Sequence, residues 1–287
     1  MNSVAEEWEK YYSEKQLKTL QAIEIENLQV FIDTCKKLNI EYVLYGGTLL
    51  GAEKYKGIIP WDDDVDVALP RESYQKFCEH AAEVLPKGYI LQTPYNCKNS
   101  PYPYAKLRRE GTKYVEYIHR NIKIDNGVYI DIYPIDRIPD DEKERRKQYN
   151  KVRLWILLYV FRQGRLYDKE SVSHIDSVKN IIKWVICHMS KIFSQEFCIQ
   201  KIDYYMTLHN DSNAKRHAAL NSPNYDNIYE TLFPLRFGSF EGIRVTLPGD
   251  YENHLTRRYG DYSSLPDEEH RIGHVPYILD LGKDDTI

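Results

Sequence analysis

The chain has 287 residues, of which 42% are hydrophobic and 29% are charged. That balance is typical of a soluble globular protein and excludes a mainly disordered chain. With 39 basic and 43 acidic residues the formal net charge is −4, so the composition does not point to a nucleic acid polymer as partner. The apolar runs are far shorter than the roughly 18 residues of a membrane span, so we expect no transmembrane segment.

The cysteines and the first residues bear on the compartment. The five cysteines are odd in number and no two have the CxxC spacing, which argues against a disulfide framework and a zinc ribbon. Residues 1–7 are mainly polar and acidic and lack the apolar core of a signal peptide. We therefore expect free thiols and a cytoplasmic protein.

Helix and strand patterns alternate irregularly in the first half of the chain. Apolar residues three or four apart predict a long helix from Ser13 to Leu38, and residues 41–45 have the composition of a strand. Thr48 is expected to cap a short helix that runs to Lys56. The further predicted elements are a strand at Val65–Leu69, a helix at Glu72–Leu85, and strands at Tyr89–Gln92, Pro103–Arg108, Lys113–Tyr117 and Gly127–Tyr133. This mixture favours an α/β (α+β) fold, with a mixed sheet flanked by helices.

Helical patterns dominate from Asp140 onward, and a charged then apolar stretch predicts a helix as far as Gln163. An apolar stripe predicts another helix, and we expect the stripe to pack inside the protein rather than in lipid. Its residues are Val178, Ile181, Ile182, Val185, Met189, Ile192 and Phe193. The last predicted elements are strands at Arg236–Phe240 and Arg244–Leu247 and a helix at Asp250–Tyr259. We interpret residues 1–287 as one domain, with residues 140–227 as a helical insertion that contributes to acceptor binding.

Four carboxylates lie within five residues, at Asp62, Asp63, Asp64 and Asp66, directly after an apolar run. Such charges repel one another, and burying them together is costly unless cations neutralise them. Asp64 and Asp66 are two residues apart in a predicted strand, so their side chains are expected on the same face. Two carboxylates in this arrangement suit one or two Mg²⁺ ions.

This acidic segment has other interpretations: a solvated surface loop, a calcium loop or a helix N-terminus. A calcium loop of EF-hand type starting at Asp62 needs a glycine and a glutamate where the chain has Val67 and Ser73, so it is excluded. The helix N-terminus is excluded because residues 65–69 alternate like a strand. The solvated loop remains open.

Gly46, Gly47 and Thr48 follow a predicted strand and precede a predicted helix. Glycines at such a turn let backbone amides approach a phosphate, and the helix N-terminus adds partial positive charge. Alone this pattern is equally explained by a tight turn, but beside the aspartates it predicts a phosphate-binding turn next to a metal site. Asp131, alone in a β-branched and aromatic run, is the candidate third carboxylate. The alternative for Asp131 is an edge strand from which it faces water.

The region around the glycine turn and the acidic segment resembles the LicD family, to which the fukutin-related transferases are related. The similar segments are Tyr45–Ala52, Gly57–Asp66, Lys106–Arg108, Tyr129–Pro134, Tyr259–Tyr262, Leu265–Pro266 and Arg271–His274. The resemblance thus extends from Glu41 to His274, and its first motif is long enough to be highly specific.

The resemblance implies a nucleotidyltransferase-type fold that transfers a phospho-alcohol, such as phosphocholine or ribitol phosphate, from a CDP-linked donor to a surface glycan. Asp64 and Asp66 then match the paired metal ligands and Asp131 matches the third, with Mg²⁺ or Mn²⁺ as the cofactor. Lys54 stands where the family usually has arginine, which replaces a bidentate phosphate contact by a point charge. These motifs do not determine which alcohol the donor carries.

Further residues are assigned to the expected substrate site. Lys54, Lys106 and Arg108 are expected to hold phosphate oxygens, with ordinary surface charges as the alternative. Trp61 is expected either to stack on a base or sugar or to pack in the core. His274 is expected to line the cleft or simply to pack, and Asp131 is also a candidate general base for the acceptor hydroxyl.

The sequence therefore predicts a metal-dependent enzyme that moves phosphocholine from CDP-choline to a hydroxyl of a teichoic acid or lipopolysaccharide precursor and releases CMP. An acceptor linked to a lipid carrier would bring the protein to the inner face of the membrane, with weak peripheral contact. Two alternatives stay open: a nucleotidyltransferase that cleaves a nucleoside triphosphate, and a catalytically silent glycan-binding module. The three differ in product, which is CMP, pyrophosphate or none.

Overall fold

The computed structural model describes residues 13–116, 119–120, 122–162, 181, 185–221, 228–264, 274 and 276–282. The predicted mixture of helices and strands is confirmed as an α/β fold. The helices are α1 (Glu14–Leu38), α2 (Gly46–Lys54), α3 (Arg71–Val84), α4 (Glu142–Arg162), α5 (Gln195–Met206) and α6 (Tyr251–Tyr259). The strands are β1 (Val43–Leu44), β2 (Asp66–Pro70), β3 (Tyr89–Gln92), β4 (Ala105–Arg109), β5 (Lys113–Glu116), β6 (Tyr129–Arg137), β7 (His217–Ala218), β8 (Ile228–Tyr229), β9 (Arg236–Phe240), β10 (Ile243–Leu247) and β11 (Pro276–Asp280).

The central sheet has the strand order β1-β2-β6-β4-β3, and β7 and β8 extend it from β6. Strands β2 and β6 are parallel, with Asp66 opposite Asp131. Strand β4 runs antiparallel to β6 and brings Lys106 opposite the same aspartate. The pairs β9–β10 and β5–β11 form two separate ribbons. The register therefore aligns three charged residues across three neighbouring strands.

Helix α1 forms where its apolar spacing predicts it. The Ser13 hydroxyl accepts the N–H of Gln16 and the Gln16 side chain accepts the N–H of Ser13, which is a capping box. At the other end Asn39 adopts the left-handed conformation that commonly closes a helix. Phe31 on its buried face contacts Phe77 of α3, with ring centroids 5.2 Å apart. Helices α1 and α3 thus cover the sheet and form the main core with it.

Helices α4 and α5 pack against each other around a second apolar cluster, which includes Val152, Tyr159, Cys198 and Ile202. This cluster supports the predicted helical character of the region, while the boundaries 140–227 and the role in acceptor binding stay a prediction. Among the described residues, no helix combines the length and the apolar character needed to cross a membrane. All five cysteines are free thiols, as predicted.

The expectation for the apolar stripe is wrong in the described part of the chain. Ile181, Val185, Met189 and Ile192 are between 41% and 76% exposed. Residues 185–190 are helical, but the side that faces the protein carries the small residues Cys187 and Ser190. The stripe therefore lies on the outer side of this helical segment, and only Phe193 is partly buried against the second cluster. Val178 and Ile182 lie outside the described residues.

Candidate functional site

The prediction for Thr48 is wrong, because helix α2 begins two residues earlier. Its first residue is Gly46, and the residue before it, Tyr45, takes the N-cap position. Thr48 lies inside the first turn, where its hydroxyl accepts the N–H of Asp66 at 2.8 Å. The threonine thus joins the helix to the first residue of β2 and sets the position of an aspartate.

The two glycines bring the first turn of α2 against two carboxylates. Gly46 has φ +58°, and a Cβ there would lie 2.5 Å from Asp66 Oδ2. A Cβ on Gly47 would lie 2.8 Å from Asp62 Oδ2. Larger residues are therefore excluded by contact, and at Gly46 also by backbone conformation. The partial positive charge at the helix N-terminus favours the anions that lie there.

Asp131 is buried on a central strand, so the interpretation as a water-facing edge residue is wrong. Its Oδ1 lies 2.6 Å from the Lys106 ammonium. Its Oδ2 accepts hydrogen bonds of 3.2 Å from the hydroxyls of Tyr104 and Tyr133. The carboxylate is therefore fixed by one cation and two phenols from its own strand and its neighbour.

Lys106 is buried beneath aromatic rings rather than exposed to a ligand. Its ammonium lies 3.3 Å from the ring centroid of Tyr129 and 3.9 Å from that of Tyr102. Burial lowers the pKa of Lys106, and the charge of Asp131 counteracts that effect. The alternative of an ordinary surface charge is therefore wrong for Lys106, which pairs with Asp131, and its contact with a phosphate stays a prediction.

Arg108 and Lys54 are likewise engaged by the protein. Arg108 is buried, donating from Nε to the Gln92 side chain and from Nη1 to the Gly127 carbonyl, both at 2.9 Å. Lys54 donates to the carbonyls of Tyr262, at 2.9 Å, and Ser264. Both residues donate to oxygens from other segments of the chain, and their contacts with phosphate stay a prediction.

His274 reaches the acidic segment from the far end of the chain. Its backbone N–H donates to Asp63 Oδ1 at 2.9 Å, and its Nδ1 lies 3.2 Å from the same oxygen and 3.5 Å from Asp64 Oδ2. The hydrogen bond to Asp63 raises the pKa of His274 to about 10, and the charge of Asp64 adds to the increase. His274 is therefore protonated and positively charged at neutral pH. Its side chain is about half exposed, so solvent screens its ion pair with Asp63.

The carboxylates remain crowded despite these cations. Burial raises the pKa of Asp66 well above its ordinary value, and the charges of Asp64 and Asp131 raise it further. Burial, followed by Asp64 and Asp63, has the same effect on the pKa of Asp62. The pKa of Asp64 is raised to about 6, chiefly by burial. We call Asp62, Asp63, Asp64, Asp66 and Asp131 the acidic cluster. Asp63 and Asp131 are buried and the other three are partly buried, which excludes the solvated loop.

The donor set of the acidic cluster fits a divalent cation. Asp66 Oδ1 is buried and accepts no hydrogen bond from the described residues. Carboxylate oxygens are the ligands that Mg²⁺ and Mn²⁺ prefer. As the side chains stand, however, no group of three or more histidine, cysteine, aspartate or glutamate residues in the described part of the chain is arranged to hold a metal. Metal binding therefore stays a prediction.

Two polar residues on the buried face of α1 belong to this site, and sequence analysis missed them. Gln21 donates from Nε2 to the Asp62 carbonyl at 2.8 Å. Glu24 is 2% exposed, and burial raises its pKa well above the ordinary value, with further increases from Asp63 and Asp64. The signal was present, because Glu24 lies four residues from both Leu20 and Leu28 on the apolar face.

Trp61 lines a cavity of about 390 Å³ beside the acidic cluster. Its ring meets that of Tyr55 edge-on, with centroids 6.2 Å apart. The cavity is also lined by Gly47, Lys54, Tyr259 and Tyr262. Sequence analysis did not bring these tyrosines together, because Tyr55 and Tyr262 are separated by two hundred positions of chain. We call this cavity the aromatic pocket.

Comparisons with known proteins show similarity to one family. A family model for the LicD/FKTN/FKRP nucleotidyltransferase domain matches residues 39–178, which include the whole acidic cluster. The lipopolysaccharide cholinephosphotransferase LicD of Haemophilus influenzae is 26% identical over 273 residues, covering 92% of this chain and 98% of that protein. An uncharacterised protein of Rickettsia prowazekii is 33% identical over 120 residues, 39% of this chain and 41% of its own length. The resemblance recognised in the sequence is confirmed: this chain is similar to phosphotransferases of the LicD family.

Proposed function

We propose that this protein transfers phosphocholine from CDP-choline to a hydroxyl group of a cell-surface glycan and releases CMP. The acceptor is a lipopolysaccharide or teichoic acid precursor, which a lipid carrier holds at the inner face of the membrane. The observation that carries the proposal is the acidic cluster, in which Asp66 and Asp131 lie in register on adjacent parallel strands. The cholinephosphotransferase from Haemophilus, similar along almost its full length, supports phosphocholine as the transferred group.

Asp64, Asp66 and Asp131 are the residues that would hold Mg²⁺ or Mn²⁺. A bound cation relieves the repulsion that raises the pKa of Asp64 and Asp66. When bound, it neutralises the diphosphate of the donor and stabilises the charge that develops in phosphoryl transfer. The buried, unpartnered Oδ1 of Asp66 supports the assignment.

The hydrogen bonds of Asp131 constrain its role. An ionised carboxylate has about four acceptor positions, and Lys106, Tyr104 and Tyr133 already use three of them. One position remains, which is enough for a cation or for the proton of an acceptor hydroxyl, but not for both. We therefore assign Asp131 to the cation rather than to general base catalysis.

A nucleotidyltransferase is the second candidate, and the name of the matching domain favours it. That reaction uses the same carboxylates but cleaves a nucleoside triphosphate and releases pyrophosphate. A silent glycan-binding module is disfavoured, because a binding module has no need for buried carboxylates that repel one another.

The products separate these candidates. The protein would be incubated with Mg²⁺, a lipopolysaccharide or teichoic acid acceptor, and either CDP-choline, CDP-ethanolamine, CDP-glycerol, CDP-ribitol or a nucleoside triphosphate. We expect CMP only from CDP-linked donors, fastest from CDP-choline, together with acceptor that carries phosphocholine. Pyrophosphate from a triphosphate would support the second candidate. If another CDP-alcohol were the best donor, the proposed reaction type would stand, but the transferred alcohol would not be choline.

A further inference from the structure

The aromatic pocket lies next to the acidic cluster, and Gly47 adjoins both. Gly47 lines the pocket and is also the residue whose Cβ would touch Asp62. The pocket therefore opens beside the first turn of α2. Its other walls include the rings of Tyr55, Trp61, Tyr259 and Tyr262. A ligand bound at the acidic cluster has this cavity directly next to it.

We propose that the aromatic pocket binds the nucleoside half of the donor, so that the cytosine ring packs among these side chains. The identity of the base rests on the proposed function. Aromatic side chains bind nucleobases through their faces, whichever base is present. A cavity of about 390 Å³ suits a base with its ribose, whereas a trimethylammonium group is much smaller and would leave most of it empty.

The charge in the pocket wall argues against the choline headgroup as its occupant. Aromatic rings also bind quaternary ammonium ions. Lys54, however, already places its ammonium 5.7 Å from the ring centroid of Tyr55. Lys54 would repel a second cation at these rings but not a neutral base, although the exposed carboxylate of Asp261 also lines the pocket and offsets part of that charge.

The chemistry of transfer gives the same orientation. The acceptor oxygen forms a bond to the phosphorus that carries choline, and the bond from that phosphorus to the bridging oxygen breaks. The bridging oxygen leaves with CMP and its electron pair, and the acceptor proton is released to solvent. Negative charge therefore grows on CMP, and the N-terminus of α2 is the neighbouring group of opposite partial charge. With the CMP phosphate at that helix end, its nucleoside reaches the pocket beside Gly47.

Lys54 holds this pocket together and is a positioning residue in our assignment. It belongs to α2, and its ammonium donates to the carbonyls of Tyr262 and Ser264. This contact ties the segment after α6, which supplies one wall, to the helix that supplies the other. The lysine thus shapes the pocket without needing to touch phosphate.

Binding of CMP and of phosphocholine to the full chain tests the assignment without turnover. By titration calorimetry we expect Trp61→Ala and Tyr262→Ala each to weaken CMP binding at least about tenfold, and to leave phosphocholine binding unchanged. Tyr204→Ala is the control, since Tyr204 is an exposed tyrosine of α5 outside the pocket. Should Trp61→Ala not fold, quenching of wild-type tryptophan fluorescence by CMP, absent in Trp61→Phe, provides the same test.

If Trp61→Ala and Tyr262→Ala lost phosphocholine binding but kept CMP binding, the assignment would be overturned. The pocket would then bind the choline headgroup. Normal CMP release with an unchanged KM for CDP-choline in Trp61→Ala would also overturn the assignment, while the proposed function would stand. Conversely, CMP binding that depends on Trp61, in a protein that cleaves no CDP-linked donor, would support the pocket and refute the proposed function.

Discussion

Strands β2 and β6 hold a buried charged group at each end, and the two groups differ in how fully their charges are paired. At one end Asp66 lies opposite Asp131 in the acidic cluster. At the other end Arg71 directly follows β2, and Asp136 lies one residue beyond the last position at which β6 pairs with β2. Carboxylates are therefore placed at both ends of this strand pair, but with different partners.

In the second group both carboxylates have direct hydrogen-bonding partners. Arg71 donates hydrogen bonds to Asp136 from Nε, at 2.8 Å, and from Nη2. Its Nη1 lies 3.1 Å from Asp203. Asn210 donates to Asp136 at 2.7 Å. We call these four residues the arginine network. The carboxylates of Asp136 and Asp203 raise the pKa of Arg71, which keeps the guanidinium charged.

Pairing is less complete in the acidic cluster. Five carboxylates face the ammonium of Lys106, the half-exposed imidazolium of His274 and the charge of Arg258, and Asp66 keeps an oxygen without a hydrogen bond in the described part of the chain. Buried carboxylates whose oxygens all have partners can be explained by structure alone, but a buried oxygen without one, among several carboxylates, indicates a missing partner. From this comparison we propose a structural role for the arginine network and a catalytic role for the acidic cluster.

The largest effect is expected from Asp66→Asn, which keeps size and removes one repelling charge. We expect acceptor-dependent CMP release to fall on the order of a hundredfold or more, the scale on which enzymes lose rate when one group that stabilises the transition state is removed. The melting temperature of the metal-free protein should stay the same or rise. Kinetics and thermal unfolding on one preparation check both. Turnover near that of wild type would remove Asp66 from the site.

Arg71→Met should show the opposite behaviour. It leaves Asp136 buried without its cation, and breaking such a pair costs about 3–5 kcal/mol of unfolding free energy. The folded fraction should keep the rate of wild type. Urea denaturation measures the loss, and adding Asp136→Leu should recover part of it. A stable Arg71→Met protein with impaired transfer would show that the network is not merely structural.

A divalent cation should supply the missing charge only to the acidic cluster. At 100 times its dissociation constant, Mg²⁺ or Mn²⁺ that binds only the folded state stabilises it by about 2.7 kcal/mol. We expect this gain in wild type and Arg71→Met, a smaller gain in Asp66→Asn, and a further increase with CDP-choline rather than ATP. Thermal shift assays compare the variants. Equal gains in all three proteins would place the cation elsewhere, and a larger increase with ATP would favour the nucleotidyltransferase.

The smallest effect is expected from Glu24→Gln, on the order of 1 kcal/mol. Because the pKa of Glu24 is raised in the folded state, its contribution to stability is present below the ordinary glutamate pKa and is lost as pH rises. The glutamine should therefore stabilise the protein at pH 8 and have little effect at pH 4. Glu26→Gln, on the exposed face of the same helix, is the control: it removes a surface ion pair with Arg109 and should therefore destabilise the protein, by up to about 1 kcal/mol. Destabilisation by Glu24→Gln at pH 8 would mean that its charge is compensated.

The sequence was most informative where function depends on local pattern. The spacing of apolar residues predicted α1, and the isolated Asp131 in an apolar run was identified before the sheet placed it beside Asp66. Long-range contacts were not predictable. Lys106 was taken for a phosphate ligand because its charge was visible, whereas the rings that bury it depend on pairing between distant strands.

The candidate site also contains residues that no sequence motif indicates. Glu24 is detectable only as an acid on the apolar face of α1, and its neighbours come from another element. His274 meets Asp63 across more than two hundred residues. The apolar stripe was assigned to the interior by its periodicity, but periodicity does not say which face is covered, and Met189 is exposed. Sequence pattern thus predicts secondary-structure elements and candidate metal ligands, whereas tertiary packing determines which side chains contact one another.

Acceptor-dependent release of CMP from CDP-choline, with and without a chelator, tests the central claim most directly. Wild type and Asp66→Asn would be compared at equal folded fraction. We predict rapid release from wild type with Mg²⁺, loss of release with the chelator, and recovery when Mg²⁺ is restored in excess, with little release from Asp66→Asn throughout. Release that resists the chelator and proceeds equally in both proteins would contradict the assignment of the acidic cluster as the metal-dependent catalytic centre.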